Sequence, residues 1–381
     1  VVEQGRILAV DVLSALKQQF PMAEEVTHPQ AVLTPALINA HIHLELSHLA
    51  QLTSQPLTTT FTGWIEQLLQ LRDSLGATGP EITAAAQQCV HRQYQQGVSL
   101  LVDIGNTTIG HHLTADFRGR LLAHKEYLGL AAFTLEKNLL RLETESETTR
   151  CSGHAPYSTH PQLIQALKHR ARGLGHIFPI HVAEPIAEGE MLGQGKGEMV
   201  DFVRDRGFWD GSFQPPGVRG SIHYLHKLKA LDDRTLCVHA VHVDHEEIRI
   251  LAGEGSKICL CPGSNRFLQV GKAPVEQFLE AGLLPALGTD SAASNPELSL
   301  WREMALLAEA HPYVEPHVIF AMATQGGAEA LGFGNQLGTI APQKEADLLA
   351  VPVPATVRSA DQLMHYLVTA GTTLHPTRVL L

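Results

Sequence analysis

The sequence predicts an α/β fold: a (β/α)8 TIM-like barrel with a small β-sandwich domain formed from both termini. Three observations predict it. Short apolar runs alternate with longer helical stretches about eight times over some 300 residues. No Gly-x-Gly-x-x-Gly follows the first run, which argues against a doubly wound open sheet, the other fold with this alternation. The two ends of the chain read as short strands and turns without long helices.

The elements follow in order. Val1–Val12 reads as a hairpin arm with Gly5 at its turn. Ala36–Ala40 is the first candidate barrel strand, followed by the amphipathic stretches Gly63–Arg72 and Glu81–Gln96. Ser99–Asp103 and Ala123–Leu128 are the next apolar runs. Pro161–Arg172 opens with a proline, which suits the first helical position. Ile177–His181 and Leu236–His239 are strands. Asp244–Gly253 is a helix opened by Asp244 with Glu247 three residues on, a capping-box spacing. Lys257–Cys261 is a strand, Ala273–Ala281 a helix closed by Gly282, and Leu284–Leu287 the last strand. Gln336–Val353 reads as short strands with turns. The expected division gives residues 1–34 and 335–381 to the small β-domain and 35–334 to the barrel.

Composition bounds the function. The chain is 44% hydrophobic and 18% charged, ordinary for a globular protein, and its formal charge of −11 argues against a nucleic-acid surface. The five cysteines are odd in number and include no CxxC pair, which suits free thiols in a reducing, cytoplasmic compartment. No run approaches the roughly 18 apolar residues of a membrane span. No signal peptide is recognised, although the chain starts at Val1 rather than Met. The expected partner is a small molecule, with room for a homodimer.

The 22 histidines are the compositional oddity, and the useful ones are those that end strands. In Ile38-Asn39-Ala40-His41-Ile42-His43, the two imidazoles share a strand face and make half of a metal site. In Pro179-Ile180-His181-Val182-Ala183-Glu184, an apolar run again ends at a histidine, and Glu184 falls on the loop beyond, where a proton shuttle belongs. In Val238-His239-Ala240-Val241-His242, His239 follows the strand more directly than His242. Ala286-Leu287-Gly288-Thr289-Asp290 puts a carboxylate at the end of the last strand. Barrel sites gather residues from several strand ends, and three His with one Asp suit Zn2+, with Fe2+ or Mn2+ as alternatives.

The resemblance these motifs carry is to the amidohydrolase superfamily, in its aminohydrolase and chlorohydrolase-like branch. LTPALINAHIHLEL resembles the first-strand motif. GHAPYS at 153–158, HVAE at 181–184, VHAVHVDHEEI at 238–248, CPGSNRFL at 261–268 and LGTDSAASN at 287–295 are similar in order and spacing. LGTIAPQKEADLLAV at 337–351 resembles the closing segment. Two positions depart: Ala240 and Gln343 stand where the family usually has Cys and Gly. The resemblance implies that His41, His43, His181 and Asp290 hold one divalent metal and that His239 and Glu184 act beside it. It implies that His154 and Tyr157 line the substrate pocket, and that Ser264 and Asn265 brace the end of the seventh strand. No lysine suggests the bridge of a two-metal site.

The implied reaction is hydrolytic deamination of an aminopurine nucleoside. A bound metal can lower the pKa of water to about 7. Asp290 takes the water proton, Glu184 carries a proton to the ring nitrogen and then to the leaving amine, and His239 stabilises the developing charge. The alternatives are hydrolysis of another C–N or C–Cl bond, as in chlorohydrolase- or imidazolone-type enzymes, and a non-enzymatic metal-binding homologue. Related nucleoside deaminases often carry Glu where Arg72 stands. Arg72 is expected either as a plain helix-surface cation or as the partner of a substrate carboxylate, and the second reading singles out aminodeoxyfutalosine among adenosine derivatives.

Overall fold

The computed structural model describes residues 1–379. Numbered within the barrel, its strands are β1 (Leu37–Ile42), β2 (Val98–Gly105), β3 (Arg120–Tyr127), β4 (Arg150–Gly153), β5 (Phe178–Val182), β6 (Thr235–His239), β7 (Lys257–Leu260) and β8 (Ala286–Leu287). β1 to β4 pair in sequence order, β5 to β8 do likewise, and every pairing is parallel. Two seams close the ring. The His181 N–H donates to the His154 carbonyl at 2.9 Å, joining β4 to β5. The Thr289 and Asp290 N–H groups both donate to the His41 carbonyl, at 3.0 and 3.1 Å, joining β8 to β1.

Side chains inside and outside the ring separate as a barrel requires. Ile38, Ala40, Leu100, Val102, Ile104, Leu236, Val238, Cys259 and Ala286 belong to the inner cluster. Leu37, Val98, Leu101, Ile180 and Cys237 face the helices. Close approach of β8 to β1 depends on Gly288, whose added Cβ would lie 2.7 Å from the His41 Cβ and 2.9 Å from the Cys259 Sγ.

The sequence reading names seven of these strands and omits β4. That strand is Arg150-Cys151-Ser152-Gly153, with one apolar side chain in four residues, so no hydrophobic period betrays it. Both ends of the chain meet in one antiparallel sheet, where Leu348–Pro352 lies between Ala31–Pro35 and Thr377–Arg378. Val2–Glu3 and Arg6–Ile7 form a hairpin whose turn residues Gln4 and Gly5 are both left-handed, at φ 49° and 74°, as a type I′ turn demands. The C-terminal end also carries a helix, Ala360–Thr369, that the sequence reading does not name. It is capped by Ser359 and buries Leu367 and Val368 against helices Leu300–Ala310 and Pro316–Ala321. All five cysteines are free and buried. Among the described residues no helix is long and apolar enough to cross a membrane.

Candidate metal centre and active-site cleft

Strand ends place the cluster. His41 and His181 each stand one residue from the end of their strands, β1 and β5; His239 ends β6, and Asp290 follows β8. Strict alternation from the inward Ile38 and Ala40 would turn His41 away from the axis. The pairing of β1 with β2 slips between Asn39 and Ile42, and such irregularities re-aim side chains near sites. Asn39 fills the outward space instead, donating to Gln93 Oε1 at 3.0 Å and Thr289 Oγ1 at 2.8 Å.

Four atoms converge. His181 Nε2 lies 3.2 Å from His41 Nε2 and 3.3 Å from His43 Nε2. Asp290 Oδ1 lies 3.6 Å from His41 Nε2 and 3.5 Å from His43 Nε2. Ligand bonds of 2.0–2.2 Å around a tetrahedral ion give ligand–ligand edges of about 3.3–3.6 Å, so the donor set fits one divalent metal. The ring tautomers agree with this fit. His43 Nδ1 donates to the Ile104 carbonyl and His181 Nδ1 to the His154 carbonyl, each at 2.8 Å. A carbonyl can only accept, so both Nε2 lone pairs are left to face the centre. Burial pushes His41 down to about 4, against the pull of Asp290, and holds it neutral as a ligand must be. Burial works to raise the Asp290 carboxyl, but His41, His43 and His239 outweigh it and keep the group well below the ordinary carboxylate range.

Glu184 and His239 stand beside these four. Glu184 Oε1 lies 3.6 Å from His239 Nε2, and their acceptor and donor atoms lie with that of Asp290 within 4.8 Å of one another. Glu184 is 6% exposed; burial and the Asp290 charge push its carboxyl well above the ordinary range. His239 Nδ1 donates to Asn265 Oδ1 at 2.9 Å, which leaves Nε2 turned toward the cluster. His242 is outside this group, with Nε2 donating to the Val270 carbonyl at 2.7 Å.

A cavity of about 430 Å³ opens above the cluster. His154, Tyr157 and Arg72 line it, together with His43, His181, Glu184, His239 and Asp290. The Arg72 fork is engaged: Nη2 donates to Glu45 Oε1 at 3.0 Å and Nη1 to Asn106 Oδ1 at 3.4 Å. Sequence reasoning missed Glu45, Asn106 and Glu126 on the same wall, where Asn106 Nδ2 donates to Glu126 Oε2 at 2.8 Å. The signal at Glu126 was the one used elsewhere, an ionisable side chain near the end of an apolar run. Phe61, Trp64, Phe202 and Phe208 make the rest of the cleft strongly apolar.

Comparison with known proteins bears on the fold and the family. An aminodeoxyfutalosine deaminase of a Nitratiruptor species is 27% identical over 395 residues, covering 98% of this chain and 90% of that one. The crystal structure of Helicobacter pylori aminofutalosine deaminase in complex with methylthio-coformycin superposes with a TM-score of 0.82 at 24% identity, covering 100% of this chain and 92% of that one. An adenosine deaminase from Xanthomonas campestris with bound zinc gives a TM-score of 0.76 at 24% identity, covering 97% of this chain and 83% of that one. The Amidohydrolase family profile matches residues 32–371, and this chain belongs to the amidohydrolase family.

Proposed function

We propose that this protein is a metal-dependent deaminase of an aminopurine nucleoside, with Zn2+ as its metal and aminodeoxyfutalosine as the first substrate to try. The observation that carries the reading is a buried carboxyl, Glu184, beside three imidazoles and a carboxylate at the floor of an apolar cleft. The deaminase relatives support it at the level of reaction type, and the Nitratiruptor protein supports the choice of substrate.

The reaction adds water to the ring carbon, breaks its bond to the amino nitrogen and leaves ammonia and a ring carbonyl. Zn2+ held by His41, His43, His181 and Asp290 would supply Lewis-acid activation of the attacking water. Asp290 Oδ2 accepts from Ser264 and Ser294 at 2.5 and 3.0 Å, so Oδ1, the oxygen that faces the metal site, is also the one whose remaining lone pair would accept the water proton. Glu184 enters protonated, because burial disfavours its charge. It can deliver that proton to the ring nitrogen, take up the proton of the added hydroxyl as the ring carbonyl forms, and pass it to the departing amine; the water proton held by Asp290 then restores Glu184. His239 faces the same space; with Nδ1 donating to Asn265, its Nε2 can donate to the developing oxyanion only as the imidazolium, an effect of about 3–4 kcal/mol for one well-aimed donor. Expulsion of an amine needs a proton shuttle more than expulsion of chloride does, which favours deamination over C–Cl hydrolysis. We also propose a cytoplasmic location, on the buried free thiols.

The test is an ammonia-release screen of metal-replete enzyme against aminodeoxyfutalosine, methylthioadenosine, S-adenosylhomocysteine, adenosine and a chlorinated triazine. Ammonia from one or more of the nucleosides is expected. Chloride release from the triazine with no ammonia from any nucleoside would overturn the reading.

A further inference from the structure

Two groups proposed to act in the reaction are held by one short turn. Ser264 Oγ donates to Asp290 Oδ2, and Asn265 Oδ1 accepts from His239 Nδ1. Both residues open helix Pro262–Leu268, directly after β7. The turn is itself held from a different helix, Leu300–Ala310, by Glu303. Glu303 Oε2 accepts the Gly263 N–H at 2.7 Å, and Oε1 accepts Asn295 Nδ2 at 2.7 Å. The same Asn295 amide donates to the Thr289 carbonyl at 2.7 Å, one residue before Asp290.

This arrangement is costly as mere packing. Glu303 is 0% exposed, and these two partners are neutral amides. Burying a carboxyl against neutral donors is unfavourable enough to push its pKa up to about 8. The sequence has also made room for it. A Cβ on Gly263 would lie 2.5 Å from Glu303 Oε1 and 2.7 Å from Asn295 Nδ2, so only glycine admits the contact.

We infer that Glu303 is a positioning residue that sets Asp290 and His239 in place together, through the Gly263–Asn265 turn on one side and Asn295 on the other. The inference rests on the proposed roles of Asp290 and His239. It reaches beyond them in assigning their geometry to one distant side chain.

The test uses the full chain and Glu303→Gln. Glutamine keeps the size, but its NH2 meets one of the two N–H donors, so one of the two bonds is lost. Three quantities are measured: Zn2+ affinity by competition with a chelator, kcat and KM at saturating Zn2+, and Tm. Outer partners of metal ligands typically contribute about 10–100-fold to affinity or activity. Zn2+ affinity is expected to fall in that range, with kcat falling while KM moves less than about threefold, since the cleft wall is untouched. Combined with Ser264→Ala, the Zn2+ losses should be less than additive, because both act along one path. Should Glu303→Gln fail to fold, Glu303→Asp keeps both acceptors and withdraws them by one methylene, and the same readings decide. Wild-type Zn2+ affinity and kcat in a folded variant, or fully additive losses in the double variant, would overturn the inference. The Zn2+ titration needs no substrate, so it stands apart from any failure of the proposed deamination.

Discussion

The two ends of the barrel hold cavities of nearly the same size, about 430 Å³ above the strand C-termini and about 440 Å³ below their N-termini, built in opposite ways. The lower one is lined by Arg150, His176, Arg234 and Lys257, which begin strands or stand within two residues of their starts, with Asp233 and Glu329 beside them. Its left-handed backbone positions are filled by Gly175 and Gly332, which adopt them freely. The upper one is floored by His43, His181, His239 and Asp290, the last three no more than 6% exposed. There Gly129 and Gly207 are left-handed too, at φ 140° and 70°, but so are the non-glycine lining residues His239 and Asp290, at 72° and 56°, with Ala183 and Ala240 next to the cluster at 49° and 46°. A side chain in that region costs about 1–2 kcal/mol. The lower end uses residues that relieve strain, and the upper end keeps strain in the residues that meet the cluster. Strain of this kind persists where surrounding structure over-determines it, and the seam bonds from Thr289 and Asp290 to the His41 carbonyl are that structure.

If the contrast is functional, substitutions at the two ends should differ by orders of magnitude. Asp290→Ala removes a metal-facing oxygen and the proposed acceptor of the water proton together. Turnover should fall by at least about 10³-fold and the chain should lose tight metal binding, read by kinetics and metal analysis. Glu184→Gln should keep the metal and lose about 10²–10⁴-fold in kcat, because an amide cannot carry the proton. Near-normal turnover in that variant would remove Glu184 from the reaction.

Much of this end was legible in the sequence because ionisable side chains that end barrel strands leave a double mark, an apolar run and a terminal His or Asp. His41, His43, His181, His239 and Asp290 all carry it. What was not legible lacks one half of the mark. β4 has the strand without the apolar run, since Cys151 is its only apolar residue. Glu45 has the charge without a strand, because it lies in the short helical segment Leu44–Thr53, from which it reaches the cleft wall and pairs with Arg72. Glu303 sits on a helix more than ten residues past the last strand, and nothing in its spacing separates it from a buried helix residue until Gly263 is seen against it. The helix Ala360–Thr369 was readable in principle. Leu363, Met364, Leu367 and Val368 follow a helical period, outside the segments read as strands.

A smaller effect sharpens the picture inside the cleft. Arg72 is already paired with a buried Glu45, so two roles compete: partner of a substrate carboxylate, or counter-ion that keeps Glu45 in place. Arg72→Ala should lower kcat/KM for aminodeoxyfutalosine at least about tenfold and leave adenosine little changed if the first role holds. Equal losses on both substrates would assign Arg72 to Glu45 alone. The smallest effect belongs to the opposite end. Arg150→Ala should change stability by no more than about 0.5 kcal/mol and leave turnover within about twofold, measured by denaturant unfolding and initial rates. A large loss of activity there would break the contrast between the ends.

The central claim is that one metal, held by His41, His43, His181 and Asp290, makes the chain a hydrolase of aminated rings. It is tested most directly by stripping the protein with a chelator and adding Zn2+ back in steps while ammonia release is followed. The account predicts no release from the stripped protein and a linear recovery that stops at one Zn2+ per chain. Full release from stripped protein, or recovery that continues to two Zn2+ per chain, would contradict it.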